Sequence, residues 1–379
     1  SKKGHDVVVF EKESYVGGRM STRMVGGFPM DIGANHLANV YTHMRALAKE
    51  LGLEWKPMKF LNYKIFKNGG VHPLLDGVGN ITKIKLALQS FFGARKKTDF
   101  FDLSTAAAYD TDNASHFAKS KVSKEADDYL FDPFTSTYQF HRSSELSLGA
   151  VYAMMRSQHK HAKDWALHQI AGGMIALPQA LADKLDVRLE TSIEKVEATS
   201  SGVKVGYGSA TETYDAVVMA TTKQPALAIL QNPSTQQKEL LEKTDFATTI
   251  GVGFKVPKET MGDTTIVWVP YAEGGAISGY TNEAMKGPDL IQGDTTLLFT
   301  WFHEPFAKTI IDKSDEEIFE ITKKELMKVC PYVKNDSTLQ NFDLQRWYEA
   351  IPKYKKGHLK MVADYMENHQ GSNNIFLCG

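Results

Sequence analysis

Cysteine is almost missing from this chain. Cys330 and Cys378 are the only two in 379 residues, far apart and in no C-x-x-C pair. That excludes a disulfide framework and a cysteine zinc site, and it fits a reducing, cytoplasmic setting. No apolar run is long enough to span a bilayer, and the first residues do not read as a signal peptide. Excess charge is lacking too: 44 basic against 45 acidic residues leave a net charge of -1. Without a basic excess there is no electrostatic reason to expect nucleic acid as a partner. Internal repeats and low-complexity tracts are also missing. What is present is ordinary globular composition, 42% hydrophobic and 23% charged, at a length that suits about two domains.

The first residues read SKKGHDVVVFEKESYVGGRMST. Val7, Val8, Val9 and Phe10 form the continuous apolar run of a parallel strand buried on both faces, and Glu11 ends it. An acid at the C-terminal end of such a strand can accept both hydroxyls of an adenosine ribose. It normally stands about 20 residues after a glycine-rich phosphate loop. Ser1 to Asp6 read as the tail of a helix with Gly4 as its stop. The expectation is therefore that a strand, a glycine loop and most of a helix lie upstream of Ser1. Glu11 alone would mean only the end of a strand. Six residues later, however, Gly17 and Gly18 let the backbone approach a pyrophosphate, and Arg19 adds a fixed cationic fork.

FEKESYVGGRMST resembles the FAD-binding stretch of the flavin amine oxidase, protoporphyrinogen oxidase and phytoene desaturase superfamily. The resemblance implies FAD as cofactor, with its ribose on Glu11 and its pyrophosphate and flavin beside Gly17, Gly18 and Arg19. GFPMDIGANHL is similar to the family segment near the isoalloxazine ring, matched on Phe28, Asp31, Gly33 and Ala34. From Ala171 the chain reads AGGM. A helical pattern on Ile175, Leu177, Leu181 and Leu185 follows, then short strands near 187–189, 193–196 and 203–205, and a buried run from Ala216 to Ala220. This order resembles the family's return to its FAD domain, where the position of Ile193 holds adenine through its backbone and Thr221 lies where the chain passes the cofactor. RWYEAIPKYKKGH, with Trp347, resembles a segment of protoporphyrinogen-oxidase-like members. Gly379 matches the first residue of a Gly-Asp pair ahead of a helix whose positive N-terminal end meets the flavin.

These features imply an α/β protein. A discontinuous Rossmann-like FAD-binding domain (1–40, 165–240, 345–379) would carry an inserted α+β substrate domain (41–164, 241–344) with an antiparallel sheet. In the insertions, 42–51 reads as a helix stopped by Gly52. Asn68-Gly69-Gly70 reads as a hairpin turn, and strands are expected at 249–254, 265–269, 276–280 and 295–302. Tyr280, Trp301 and Phe302 suit a pocket wall or a core equally. Ile81, Ile84, Leu88, Phe91 and Phe92 share one helical face beside Lys83, Lys85, Arg95, Lys96 and Lys97. Such a helix either lies on a membrane surface, as a peripheral contact, or faces a core with a solvated basic edge.

A flavin carries the hydride chemistry itself, so the sequence need not supply an acid or base. Asn35 and His36 follow Gly33-Ala34 and are the candidate catalytic residues, His36 as an acid or base near neutral pH. Amine oxidases of the superfamily place a lysine that holds a water at the flavin. An ungapped match puts Thr249 there, which counts against lysine-dependent amine oxidation. His159, His161 and His168 lack the cysteine or paired acid of a metal site, so no metal is expected. The expected function is FAD-dependent dehydrogenation or oxidation of a small, apolar or polycyclic substrate, as in protoporphyrinogen-oxidase-like members. A polyene desaturase or isomerase and an amine oxidase are alternatives. A non-catalytic flavoprotein acting as a binding module is the alternative of another class.

Overall fold

The computed structural model describes residues 3–58, 62–287 and 290–378. At its centre is an eight-stranded, mostly antiparallel sheet. In spatial order its strands are Gln340–Pro352, Phe246–Pro257, Thr295–Phe302, Ile277–Asn282, Ile266–Trp268, Tyr63–Lys67 and Gly70–Pro73, with Ile291–Gln292 beside Thr295–Phe302. The four strands expected from aromatic and β-branched runs are all there. So is the hairpin, whose Asn68 and Gly69 both take positive φ (52° and 75°), the turn geometry that matches strand twist.

Side chains alternate across a strand, so this sheet has two faces. On one, Ile250, Val252, Phe254, Leu298 and Phe302 pack against Ile318, Leu326 and Val329 of the helix Asp315–Val329. That helix opens with a reciprocal Ser314–Glu317 cap and three acids in its first turn, which satisfy exposed N–H groups and oppose the positive helix end. Tyr280 lies on this face and its hydroxyl donates to the Val329 carbonyl at 3.0 Å. Tyr280 and Phe302 therefore belong to the helix-covered core. The opposite face carries Ile65, Ile266, Trp268 and Trp301, with Tyr63, Phe134, Tyr138, Phe140 and Phe299 packed on them.

The strand Val8–Phe10 runs parallel to Asp186–Arg188, and Val217–Met219 runs parallel to Ile375–Leu377. The beginning, middle and end of the chain thus meet, as a discontinuous α/β arrangement requires. The runs read as buried on both faces are half-open instead: Val9 is 37% and Val218 63% exposed. The reason is one-sided cover. Phe10 packs on Tyr207 and Tyr214, with ring centroids at 5.0 and 6.2 Å, while Val9 on the other side meets solvent. The helix Asn80–Gly93 also differs from its core-facing reading. Thr82 and Gly93 are its buried positions, and the apolar row from Ile81 to Phe92 points outward, between 45% and 73% exposed.

Candidate functional site

The N-terminal loop is built to bring bare backbone to a surface. Gly17 and Gly18 both have positive φ, 95° and 49°. A Cβ on Gly18 would meet nothing within 4 Å, so this face of the loop is open. Gly33 is the opposite case. A Cβ there would stand 2.1 Å from the Arg19 carbonyl oxygen, an impossible contact with backbone. The N–H of Ala34 donates to that same oxygen at 2.8 Å. Gly33 and Ala34 are themselves exposed, so the two loops close on each other and present a shared open edge. At the end of the first strand, the Glu11 N–H donates to Arg188 and Glu11 Oε1 accepts from the Glu13 N–H at 2.9 Å. Its other carboxylate oxygen makes no hydrogen bond among the described residues.

The cradle is tied to distant parts of the chain. Arg19 Nη1 donates to the Ala350 carbonyl at 2.9 Å and Trp347 Nε1 to the Ile32 carbonyl at 2.7 Å. Both partners sit on the strand Gln340–Pro352, so the edge strand of the large sheet is fastened directly to the loop. Asp31 Oδ1 accepts from Thr22 Oγ1 (2.6 Å) and from the Met174 N–H (3.2 Å). The Gly172-Gly173-Met174 turn is thereby pinned beneath the N-terminal hairpin. Burial pushes the Asp31 carboxyl above its ordinary value, against the opposing pull of Lys286 and of these hydrogen bonds.

His36 and Asn35 follow directly. Asn35 Oδ1 lies 2.6 Å from His36 Nδ1, and the His36 ring stands edge-on to Tyr138 at 6.0 Å. Burial, assisted by the charge of Lys286, pulls the imidazole down to about 4. At neutral pH it is uncharged. Tyr138 leads to the aromatic sheet face. There Trp301 Nε1 and Thr249 Oγ1 are buried and have no hydrogen-bond partner among the described residues. Register puts them together: Trp301 pairs with Gly251, two residues from Thr249 on the same face. Thr249 also pairs with Trp347, the residue that reaches Ile32. Buried polar atoms almost always have partners, so these two are exceptions that set this face apart from the helix-covered one.

Not every candidate joins this group. Ile193 packs its side chain on the core of the four-stranded sheet formed by 195–199, 202–207, 210–214 and 230–231. Its backbone precedes the ladder, which begins at Lys195. Thr221 is exposed just beyond the strand Val217–Met219. Gly379 lies outside the described residues. Two residues escaped the sequence reading: Lys286 and Glu283, nearly fully buried and ion-paired with each other. Thr281 Oγ1 donates to Glu283 at 2.7 Å and Gln169 Nε2 to the Lys286 carbonyl at 3.1 Å. Charged residues three apart after a strand look like any solvated turn, so nothing local marks them as buried.

The cradle fits a dinucleotide on its own geometry: a free acidic oxygen at a strand end, open glycine backbone, and a glycine contact that no side chain could replace. The family model for flavin containing amine oxidoreductases matches residues 1–379. The coproporphyrinogen III oxidase of Staphylococcus aureus is 22% identical over 94% of this chain and 84% of its own length. The protoporphyrinogen oxidase 2 of Arabidopsis thaliana is 21% identical over 97% of this chain and 83% of its own. Among solved structures, a redesigned putrescine oxidase superposes with a TM-score of 0.78 at 16% identity, covering 99% of this chain and 88% of that one; this likeness establishes the fold.

Proposed function

Because this chain belongs to the flavin containing amine oxidoreductase family, and so is an FAD-dependent oxidoreductase, we propose that it dehydrogenates a flat, largely apolar substrate of the porphyrinogen class. The observation that carries the reading is the aromatic sheet face, with its buried and unpartnered Trp301 indole and Thr249 hydroxyl, fastened through Trp347 to the loop of Gly33. Aromatic walls suit a large ring system. A threonine, rather than a lysine, among them suits a substrate that is not activated as an amine.

FAD, when bound, supplies the two-electron oxidation. Glu11 would hold the ribose, Gly17, Gly18 and Arg19 the pyrophosphate, and Gly33 and Ala34 the flavin edge. Ile193, Thr221, Trp347 and Gly379 complete the cofactor set. In this reading His36 and Asn35 meet the substrate. A neutral His36 can accept a hydrogen bond from it, and is too weakly basic to store a proton at neutral pH. The cofactor-binding domain takes 1–40, 165–240 and 345–379, and the substrate domain the rest, with the strand Gln340–Pro352 passing between them.

Anaerobic mixing of the holoenzyme with coproporphyrinogen III, protoporphyrinogen IX and putrescine tests the substrate class. Porphyrinogens should bleach the flavin band within the enzyme's turnover time and putrescine should not. Bleaching by the amine alone would overturn the reading. No helix of the described residues is long and apolar enough to cross a membrane. The outward apolar row of Asn80–Gly93, rimmed by Lys85, Arg95 and Lys97, supports peripheral contact with an anionic bilayer. Sedimentation with anionic vesicles, lost in Ile84→Asp, is the expected result; equal sedimentation of both proteins would contradict it.

A further inference from the structure

The edge strand Gln340–Pro352 breaks step with its neighbour at the end nearest the cradle. Ala247 pairs with Ile351 and Thr249 with Trp347, so Thr248 alone stands opposite Tyr348, Glu349 and Ala350. A bulge of this kind turns backbone and side chains out of the ladder, and all three bulged residues are put to use. The Tyr348 carbonyl accepts from Thr248 Oγ1 at 3.0 Å. The Glu349 carboxylate accepts from the Gln224 N–H at 3.1 and 3.3 Å, just beyond Thr221. The Ala350 carbonyl accepts from Arg19 Nη1 at 2.9 Å. Among the described residues Arg19 forms no ion pair, and this carbonyl is its side chain's only hydrogen-bond acceptor. Burial lowers the guanidinium below its ordinary value, against the opposing pull of Tyr354 and Glu349, which lie just past the bulge and on it. Where the bulge stands therefore decides where the guanidinium stands.

The bulge is itself braced by a buried acid. The Thr248 N–H donates to Glu304 Oε1 at 3.2 Å. Glu304 opens the helix Glu304–Ile310 and is 5% exposed. Its other oxygen accepts from Lys353 Nζ at 2.6 Å, and Lys353, equally buried, donates also to Glu145 at 2.8 Å. Lys308 reaches Glu304 Oε1 from the surface at 2.8 Å. A buried carboxylate is costly unless it is paired and hydrogen-bonded, so these partners fix its place. With both oxygens occupied, Glu304 holds no ligand of its own. We propose that Glu304 is a positioning residue for the cofactor: it fixes Thr248, Thr248 fixes the bulge, and the bulge sets Arg19 in the cradle. The inference rests on the reading of Arg19 as a residue that holds the pyrophosphate. It deepens that reading by placing part of the affinity for FAD on Glu304 and Thr248, in the segment 241–344 that carries the substrate sheet.

The Kd for FAD, read from the free-flavin fluorescence that appears when the holoenzyme is diluted, tests this without turnover. Arg19→Met should raise Kd about tenfold, the loss of one charged contact. Glu304→Ala should raise it about fivefold, and Thr248→Val, which deletes a hydroxyl and keeps the shape of the strand, about threefold. Glu304→Gln keeps an acceptor for the Thr248 N–H and should stay near wild type. In the Arg19→Met background neither Glu304→Ala nor Thr248→Val should raise Kd further, because their effect travels through Arg19. Phe254→Ala, which destabilises the fold elsewhere, should leave Kd unchanged, so lost stability alone does not produce the pattern. Glu145 still pairs with Lys353 in Glu304→Ala; should that variant not fold, Thr248→Val carries the cycle by itself. Effects that add in the Arg19→Met background, or a wild-type Kd in Glu304→Ala and Thr248→Val while Arg19→Met is weakened, would overturn the inference and leave the cradle standing. An unchanged Kd in Arg19→Met would remove Arg19 from the cofactor site, and the inference with it.

Discussion

The two faces of the central sheet come from the same strands, yet they are finished differently. On the helix-covered face, Ile250, Val252, Phe254 and Phe302 are fully apolar and wholly buried, and the hydroxyls beside them, on Tyr280 and Thr300, have their acceptors. On the other face, Trp301 and Thr249 are nearly as buried, and among the described residues the Trp301 indole N–H and the Thr249 hydroxyl have no hydrogen-bond partner. The first face is finished by the protein itself. The second is energetically incomplete, because a buried donor or acceptor without a partner costs about 1–3 kcal/mol. The difference separates a surface that the protein completes by itself from the one proposed above to meet the substrate.

The largest effect that would break this comparison is on the finished face. Phe254→Ala removes a ring packed at 5.7 Å on Phe319 and should cost about 3–5 kcal/mol in denaturant unfolding, with flavin reduction per folded molecule unchanged. Just beyond the strand Thr295–Phe302, His303 caps the helix Glu304–Ile310 and should govern acid stability. Burial, with Arg142 adding to it, holds its imidazole down to about 3 in the folded protein. In the unfolded chain it takes a proton near its ordinary value. Between those limits the unfolded state binds more protons, so stability falls as pH falls through that window, by about 5 kcal/mol in total. His303→Asn should flatten that part of the pH–stability curve, and an unchanged slope would remove His303 from the account. The smallest effect is the sharpest contrast. Tyr280→Phe should lose about 1 kcal/mol and Thr249→Val should gain about 1 kcal/mol, while only the valine variant slows flavin reduction. Loss of stability in both would place Thr249 among ordinary core residues.

Much of this was legible in the residues. Strand positions followed from aromatic and β-branched runs, the hairpin from Asn68-Gly69, and the cradle from Glu11 and the glycines. The pinning of Gly33 against Arg19 could be read only as a motif, because a carbonyl contact between loops leaves no local pattern. Which aromatic points to which face was not legible for Tyr280, Trp301 and Phe302. The register that decides it depends on partners far away in sequence. The apolar row of Asn80–Gly93 left two readings open for a related reason: amphipathicity reveals a stripe, and only packing reveals whether the stripe faces in. Lys286 and Glu283 gave no signal at all, since their burial comes from Gln169 and Thr281 on other elements.

The central claim is that the close approach of Gly33 to Arg19 shapes a cradle for FAD. The visible absorption spectrum of wild type and Gly33→Ala, followed by acid release of the chromophore, tests it most directly. Wild type should show flavin bands and release FAD. The variant should be folded by circular dichroism and colourless, because a methyl group cannot stand 2.1 Å from a backbone oxygen. A folded variant that retains FAD as wild type does, or a wild type that takes up no added FAD, would contradict the account.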